Sequence, residues 1–102
     1  IEGIGEDFIP GTVDLGAIDR FVRVSDRNAM LLTRRLCREE GILVGNSSGA
    51  ALQAALVVAQ ELNDDSLIVV IFPDTGRNYL SKVFSDTWMR EHGFLAEKAV
   101  GR

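Results

Sequence analysis

Gly41-Ile42-Leu43-Val44-Gly45-Asn46-Ser47-Ser48-Gly49-Ala50 is the stretch whose reading decides the fold. Ile42, Leu43 and Val44 form a short apolar strand signal. The turn Gly45-Asn46-Ser47-Ser48-Gly49 follows, and an alanine- and valine-rich helical pattern then starts at once. Gly45 and Gly49 let the backbone turn sharply and come close to another group, and Ser47 or Ser48 is expected to cap the helix. A hydroxyl and unpaired backbone N–H groups then face out of the carboxyl end of a strand, the edge at which open α/β sheets hold their ligands.

The flanking pattern extends this reading in both directions. Upstream, Arg20-Phe21-Val22-Arg23-Val24 predicts a strand, and Ser25 or Asp26 offers a cap for a helix over residues 26–40. That helix carries Ala29, Leu32, Leu36 and Cys37 on one face and is closed by Gly41. The helix over residues 47–63 is apolar around most of its circumference, which predicts packing on more than one side. Downstream, Leu67-Ile68-Val69-Val70-Ile71-Phe72 is an unbroken apolar run, suited to a central parallel strand covered on both faces. Pro73-Asp74-Thr75-Gly76-Arg77-Asn78 leaves it as a second loop, residues 79–93 predict one or two short helices, and residues 94–102 read as a linker or tail. Alternating helices and strands indicate an α/β architecture.

At 102 residues, 46% of them hydrophobic, the chain suits one small domain or part of a larger one. A net charge of −4 supplies no basic footprint, so nucleic acid is not an expected partner. Cys37 is the sole cysteine, which excludes an internal disulfide framework and fits a reducing, cytoplasmic setting. No apolar run reaches the roughly 18 residues that suggest a membrane span, and no spacing suggests a metal site. The opening Ile1-Glu2-Gly3-Ile4-Gly5-Glu6-Asp7-Phe8-Ile9-Pro10-Gly11 lacks an initiating Met and starts within a glycine-punctuated loop, the expectation for a cut through a larger domain. Gly3 and Gly5 do not make a dinucleotide fingerprint, because no third glycine falls in place and no helical pattern follows.

Two chemistries fit the central turn. Gly45-Asn46-Ser47-Ser48-Gly49 satisfies the pattern of a nucleophile elbow, and Asp74 and His92 follow in hydrolase order. Against that stands His92 itself, in Arg90-Glu91-His92-Gly93, which reads as the solvated end of a helix. The other chemistry is cofactor binding, and here a wider resemblance enters. Glu2-Gly3-Ile4-Gly5 with Asp7-Phe8-Ile9-Pro10, the 40–49 stretch, and Pro73-Asp74-x-Gly76-Arg77-Asn78-Tyr79-Leu80-Ser81-Lys82 resemble the cysteine synthase and cystathionine β-synthase family in order and spacing. Phe84-Ser85-Asp86-x-Trp88-Met89 and Gly93-Phe94 lean toward the cystathionine β-synthases.

The resemblance implies a three-layer α/β domain with a mostly parallel sheet, like the tryptophan synthase β-subunit, of which residues 1–93 are a C-terminal segment. It implies pyridoxal 5'-phosphate, serine or an activated serine as substrate, a thiol or sulfide as acceptor, and a homodimer. By the same resemblance, Ser47 hydrogen-bonds the pyridine nitrogen, Gly3, Ile4 and Gly5 line cofactor and substrate, and Pro73 and Asp74 form the loop beside the ring. Ser48 and Asn46 are read as cap and turn residues. Glu6 stands where animal cystathionine β-synthases have a tyrosine, so thiol preference does not carry over. Lys82 and Lys98 are the two lysines, and neither is the Schiff-base lysine that the resemblance assigns. The segment thus holds no catalytic residue and is expected to be inactive alone. The alternatives are a non-catalytic remnant acting as an interaction module and a small serine hydrolase.

Overall fold

In the computed structural model, residues 10–96 are described. The first helix, α1 (Asp26–Arg35), starts where Ser25 turns from extended backbone and its Oγ accepts the Asn28 N–H at 3.1 Å. Asp26 in its first turn and Arg34 and Arg35 in its last complement the helix dipole. The helix then widens into one π-helical turn (Leu36–Glu40), and Gly41 ends it at φ 69°, a left-handed conformation that suits glycine. Ala29, Leu32 and Leu36 are buried and Cys37 half-buried, as their spacing predicts.

After residues 41–45, α2 (Asn46–Ala59) crosses α1 at Gly49. A Cβ there would collide with the Ala29 carbonyl oxygen and the Thr33 hydroxyl, so glycine is what lets the two backbones approach. Thr33 is fully buried, and its hydroxyl donates to the Ala29 carbonyl at 2.8 Å. The expected cap is corrected here. Ser47 and Ser48 lie inside α2, and Gly45 is its N-cap with no side-chain cap bond.

A short 3₁₀ turn (Gly76–Tyr79) and α3 (Asp86–Glu91) follow. Met30 of α1, Val83 and Met89 form a buried apolar cluster, with Leu31, Tyr79, Phe84, Trp88, Phe94 and Leu95 packed around it. Arg34 pins this corner. It donates to the Val83 carbonyl at 3.0 Å and pairs with Asp86, whose carboxyl it holds below the usual range chiefly through that hydrogen bond.

The sheet is where structure and expectation part. Among the described residues there is no strand, only an isolated antiparallel bridge between Val44 and Thr75, flanked by Gly45 N–H to Asp74 O (3.3 Å) and Gly76 N–H to Leu43 O (3.2 Å). Residues 20–24 and 67–72 belong to no regular element. A strand is completed by the N–H and C=O groups of its neighbours, and no described segment supplies them to these runs. Leu67, Val69 and Ile71 are accordingly 89%, 83% and 77% exposed. Residues 68–71 lie instead along a groove of about 460 Å³ beside Ala51, Ala54, Ala55 and Val58 of α2. Leu56, facing elsewhere, is 44% exposed, so α2 is not enclosed on several sides by the described residues.

Candidate functional site

The amino end of α2 and the loop 73–79 form one unit. The Val44–Thr75 bridge sets the loop against the residues that precede α2, and the Asp74 carboxylate comes to lie on Gly45. A Cβ on Gly45 would fall 2.7 Å from the Asp74 carboxyl carbon, so the missing side chain is the space the carboxylate uses. The Tyr79 hydroxyl donates to Asp74 Oδ2 at 2.9 Å. Thr75 stabilises the turn between them, its Oγ1 accepting the Arg77 N–H at 3.3 Å.

Ser47 occupies the first turn of α2 and is half-buried. Since Gly45 is the N-cap, the Ser47 hydroxyl carries no capping duty, and it has no hydrogen-bond partner among the described residues. Two neighbours add to this. Asn46 Oδ1 and Ser48 Oγ are buried without partners, Asn46 at 8% exposure and Ser48 fully enclosed. Buried polar atoms are nearly always satisfied, so two orphans beside an uncommitted hydroxyl set this turn apart from an ordinary helix start. The sequence pattern singled out Ser47 and Asp74 and passed over Asn46 as a turn residue. Its buried amide oxygen leaves no trace in the local pattern.

Of the other sequence-derived positions, Pro73 is exposed at the start of the loop, and Gly3, Ile4 and Gly5 lie outside the described residues. Ser47, Asp74 and His92 are not joined by hydrogen bonds among the described residues. Asp74 is engaged by Tyr79, whereas the His92 ring stacks on Trp88 with centroids 4.1 Å apart and its Nδ1 lies 2.8 Å from the Trp88 carbonyl oxygen. No group of metal-binding side chains and no helix long and apolar enough to cross a membrane occurs among the described residues.

Comparison with known proteins converges on one group. The family model described as "pyridoxal-phosphate dependent enzyme" matches residues 1–74. The cystathionine β-synthase of Oryctolagus cuniculus is 46% identical over 100 residues, covering 98% of this chain and 18% of that protein. Among solved structures, a hydrogen sulfide-producing enzyme in complex with an α-aminoacrylate intermediate aligns at TM-score 0.72 and 37% identity, over 100% of this chain and 27% of its own. The O-acetylserine dependent cystathionine β-synthase from Helicobacter pylori aligns at TM-score 0.69 and 48% identity, over 80% of this chain and 27% of its own. The chain thus spans about a fifth of the length of the curated relatives it matches, 18% in one case and 21% in another.

Proposed function

The chain belongs to the pyridoxal-phosphate dependent enzymes, and from that premise we propose that it is a segment of one that replaces the β-substituent of serine, or of an activated serine, with a thiol or sulfide. The relatives' names support the substrate class, since O-acetylserine is a serine with an activated leaving group. The observation that carries the reading is the Ser47 hydroxyl at the amino end of a 14-residue helix, relieved of capping by Gly45.

The residues present fit the cofactor. Ser47 is a free donor at the amino end of α2, and the turn around it carries two further polar side chains, Asn46 and Ser48, that no described residue engages. When bound, pyridoxal phosphate supplies an electron sink for chemistry at the amino acid's α- and β-carbons. Ser47 would hold the pyridine nitrogen by a neutral hydrogen bond. A hydroxyl does not compel that nitrogen to be protonated as a carboxylate would, which moderates the sink and favours loss of a β-substituent over extended carbanion chemistry. Asp74 lies at the same end of α2 with Pro73 next to it in the chain, and Gly3, Ile4 and Gly5 are assigned to lining cofactor and substrate on the resemblance alone.

In this reading the residues of 67–72 form a strand in the mostly parallel sheet of a three-layer α/β domain. Their bare apolar side chains are then covered by chain outside this segment. The lysine that binds the cofactor covalently also belongs outside it, so residues 1–93 contribute binding surface and no catalytic residue, with residues 94–102 as tail. The complete enzyme is a cytoplasmic homodimer.

The test is borohydride fixation of pyridoxal phosphate followed by mass analysis, on the 102-residue chain and on a protein of the relatives' length that carries it. Stoichiometric uptake by the long protein at a lysine outside this segment, and none by the short one, is the expected result. A specific adduct on Lys82 or Lys98 overturns the division of labour. Absence of uptake by the long protein overturns the function.

A further inference from the structure

The turn that presents Ser47 is the positive end of α2. A helix terminus of this length carries roughly half an elementary charge, spread over the N–H groups of the first turn. A ring nitrogen held by Ser47 sits in that field, which disfavours a proton on it. Gly45 offers no side chain to offset the charge, and the first turn of α2 holds no acidic residue. The negative charge at this end comes instead from Asp74, far down the chain.

Its placement is held by three independent devices. Gly45 N–H donates to the Asp74 carbonyl at 3.3 Å, which fixes the backbone. The carboxylate rests on the bare Cα of Gly45, a position that any other residue would fill. The Tyr79 hydroxyl reaches Oδ2 at 2.9 Å from a ring anchored on the Met30–Val83–Met89 cluster, so the rotation of the carboxylate is referred to the core. An acid that served only to stabilise the helix electrostatically would not need a tyrosine to orient it. Asn46 Oδ1 lies in the same turn, buried and without a hydrogen-bond partner among the described residues.

We propose that Tyr79 and Asp74 are positioning residues: Tyr79 holds the Asp74 carboxylate against the amino end of α2, where it offsets the helix field and sets how far the Ser47-bound ring nitrogen shares a proton. This rests on the cofactor reading of Ser47. It adds that the electron demand of the ring is adjusted by a charge that does not touch the ring. Weakening that charge leaves the nitrogen less proton-rich, and strengthening the hydrogen bond to it does the reverse.

The substitutions separate charge from packing. Asp74→Asn keeps an oxygen that accepts from Tyr79 and removes the charge. Tyr79→Phe keeps the ring on the core and frees the carboxylate to rotate. The readout is the ¹⁵N chemical shift of ring-labelled pyridoxal phosphate bound to the full-length protein, with thermal midpoints measured in parallel and Ser47→Ala as reference. The expected result is a downfield move, toward unprotonated pyridine, in Ser47→Ala and Asp74→Asn, and a smaller move in the same direction in Tyr79→Phe. If Ser47→Ala moves the resonance while Asp74→Asn and Tyr79→Phe leave it in place, the inference is overturned and the cofactor reading stands. A lowered midpoint in Tyr79→Phe with an unmoved resonance likewise reduces Tyr79 to a packing role and refutes it. If Ser47→Ala itself has no effect on a bound cofactor, the assignment of Ser47 fails first, and this inference with it.

Discussion

Replacing Gly49 by Ala tests the packing that holds the site's helix in place. The new methyl meets the Ala29 carbonyl oxygen and the Thr33 hydroxyl head on and lies 3.0 Å from the Ala29 carbonyl carbon. The two oxygens lie far inside any tolerable contact, so α1 and α2 must part by about an ångström or more at their crossing. The obstacle is backbone, and no rotamer change relieves it. Overpacking of this kind costs about 1–3 kcal/mol, toward the upper end here. Alanine regains up to about 1 kcal/mol through its helix propensity, which leaves a net loss of about 2 kcal/mol. Hydrogen exchange of the amides in residues 26–59 reads this locally, and their exchange should accelerate by roughly 30-fold. Adding Thr33→Ala removes one of the two collisions and also the 2.8 Å hydrogen bond from Thr33 to Ala29, so it should restore little. Unchanged or slower exchange in Gly49→Ala, or full recovery in the double variant, would refute the crossing geometry.

Three further outcomes follow from the same structure. Gly45→Ala displaces the Asp74 carboxylate and should weaken pyridoxal phosphate retention by roughly tenfold, on the scale of about 1–3 kcal/mol for a forced side chain, as measured by equilibrium dialysis of the full-length protein. Asp86, held low by Arg34, has a folded pKa below its unfolded value, so its contribution is present above the usual carboxylate pKa and is lost as pH falls through the folded one. The urea midpoints of wild type and Asp86→Asn should therefore differ most near neutrality and converge in acid. A gap that widens in acid would contradict the sign. Changing Leu67, Val69 and Ile71 together to Thr should make the isolated 102-residue chain less prone to associate by light scattering, and should destabilise the full-length protein if those side chains are buried there.

Local features were the legible ones. Ser25 as cap, Gly41 as left-handed terminus and the buried face of Ala29, Leu32 and Leu36 each follow from residues within a turn or two of one another. Thr33 was not legible as a core residue. Its burial depends on the absence of a side chain at Gly49, and that matters only once two helices cross. The serines of the central turn illustrate a competition that pattern alone does not decide. Both are good caps, but the close approach of Asp74 reserves the N-cap for glycine and pushes them into the helix. The sheet was read from runs of apolar residues, and among the described residues only Val44 finds a bridge partner, Thr75, while residues 20–24 and 67–72 pair with nothing. Strand identity resides in neighbours, whereas the start of a helix is written in its own first residues.

The charge that completes the amino end of α2 comes from a loop made long after the helix itself. During synthesis, α1 and α2 already have their crossing contacts once residues up to 59 have emerged, because Ala29, Thr33 and Gly49 are all in hand. The Ser47 turn then lacks its counter-charge until residues 73–79 arrive and the Tyr79 hydroxyl reaches the Asp74 carboxylate. Long-range closure of that kind is the slow part of assembly. The amino end of α2 is therefore completed late, and a chain interrupted before Tyr79 would present the helix with its counter-charge unheld.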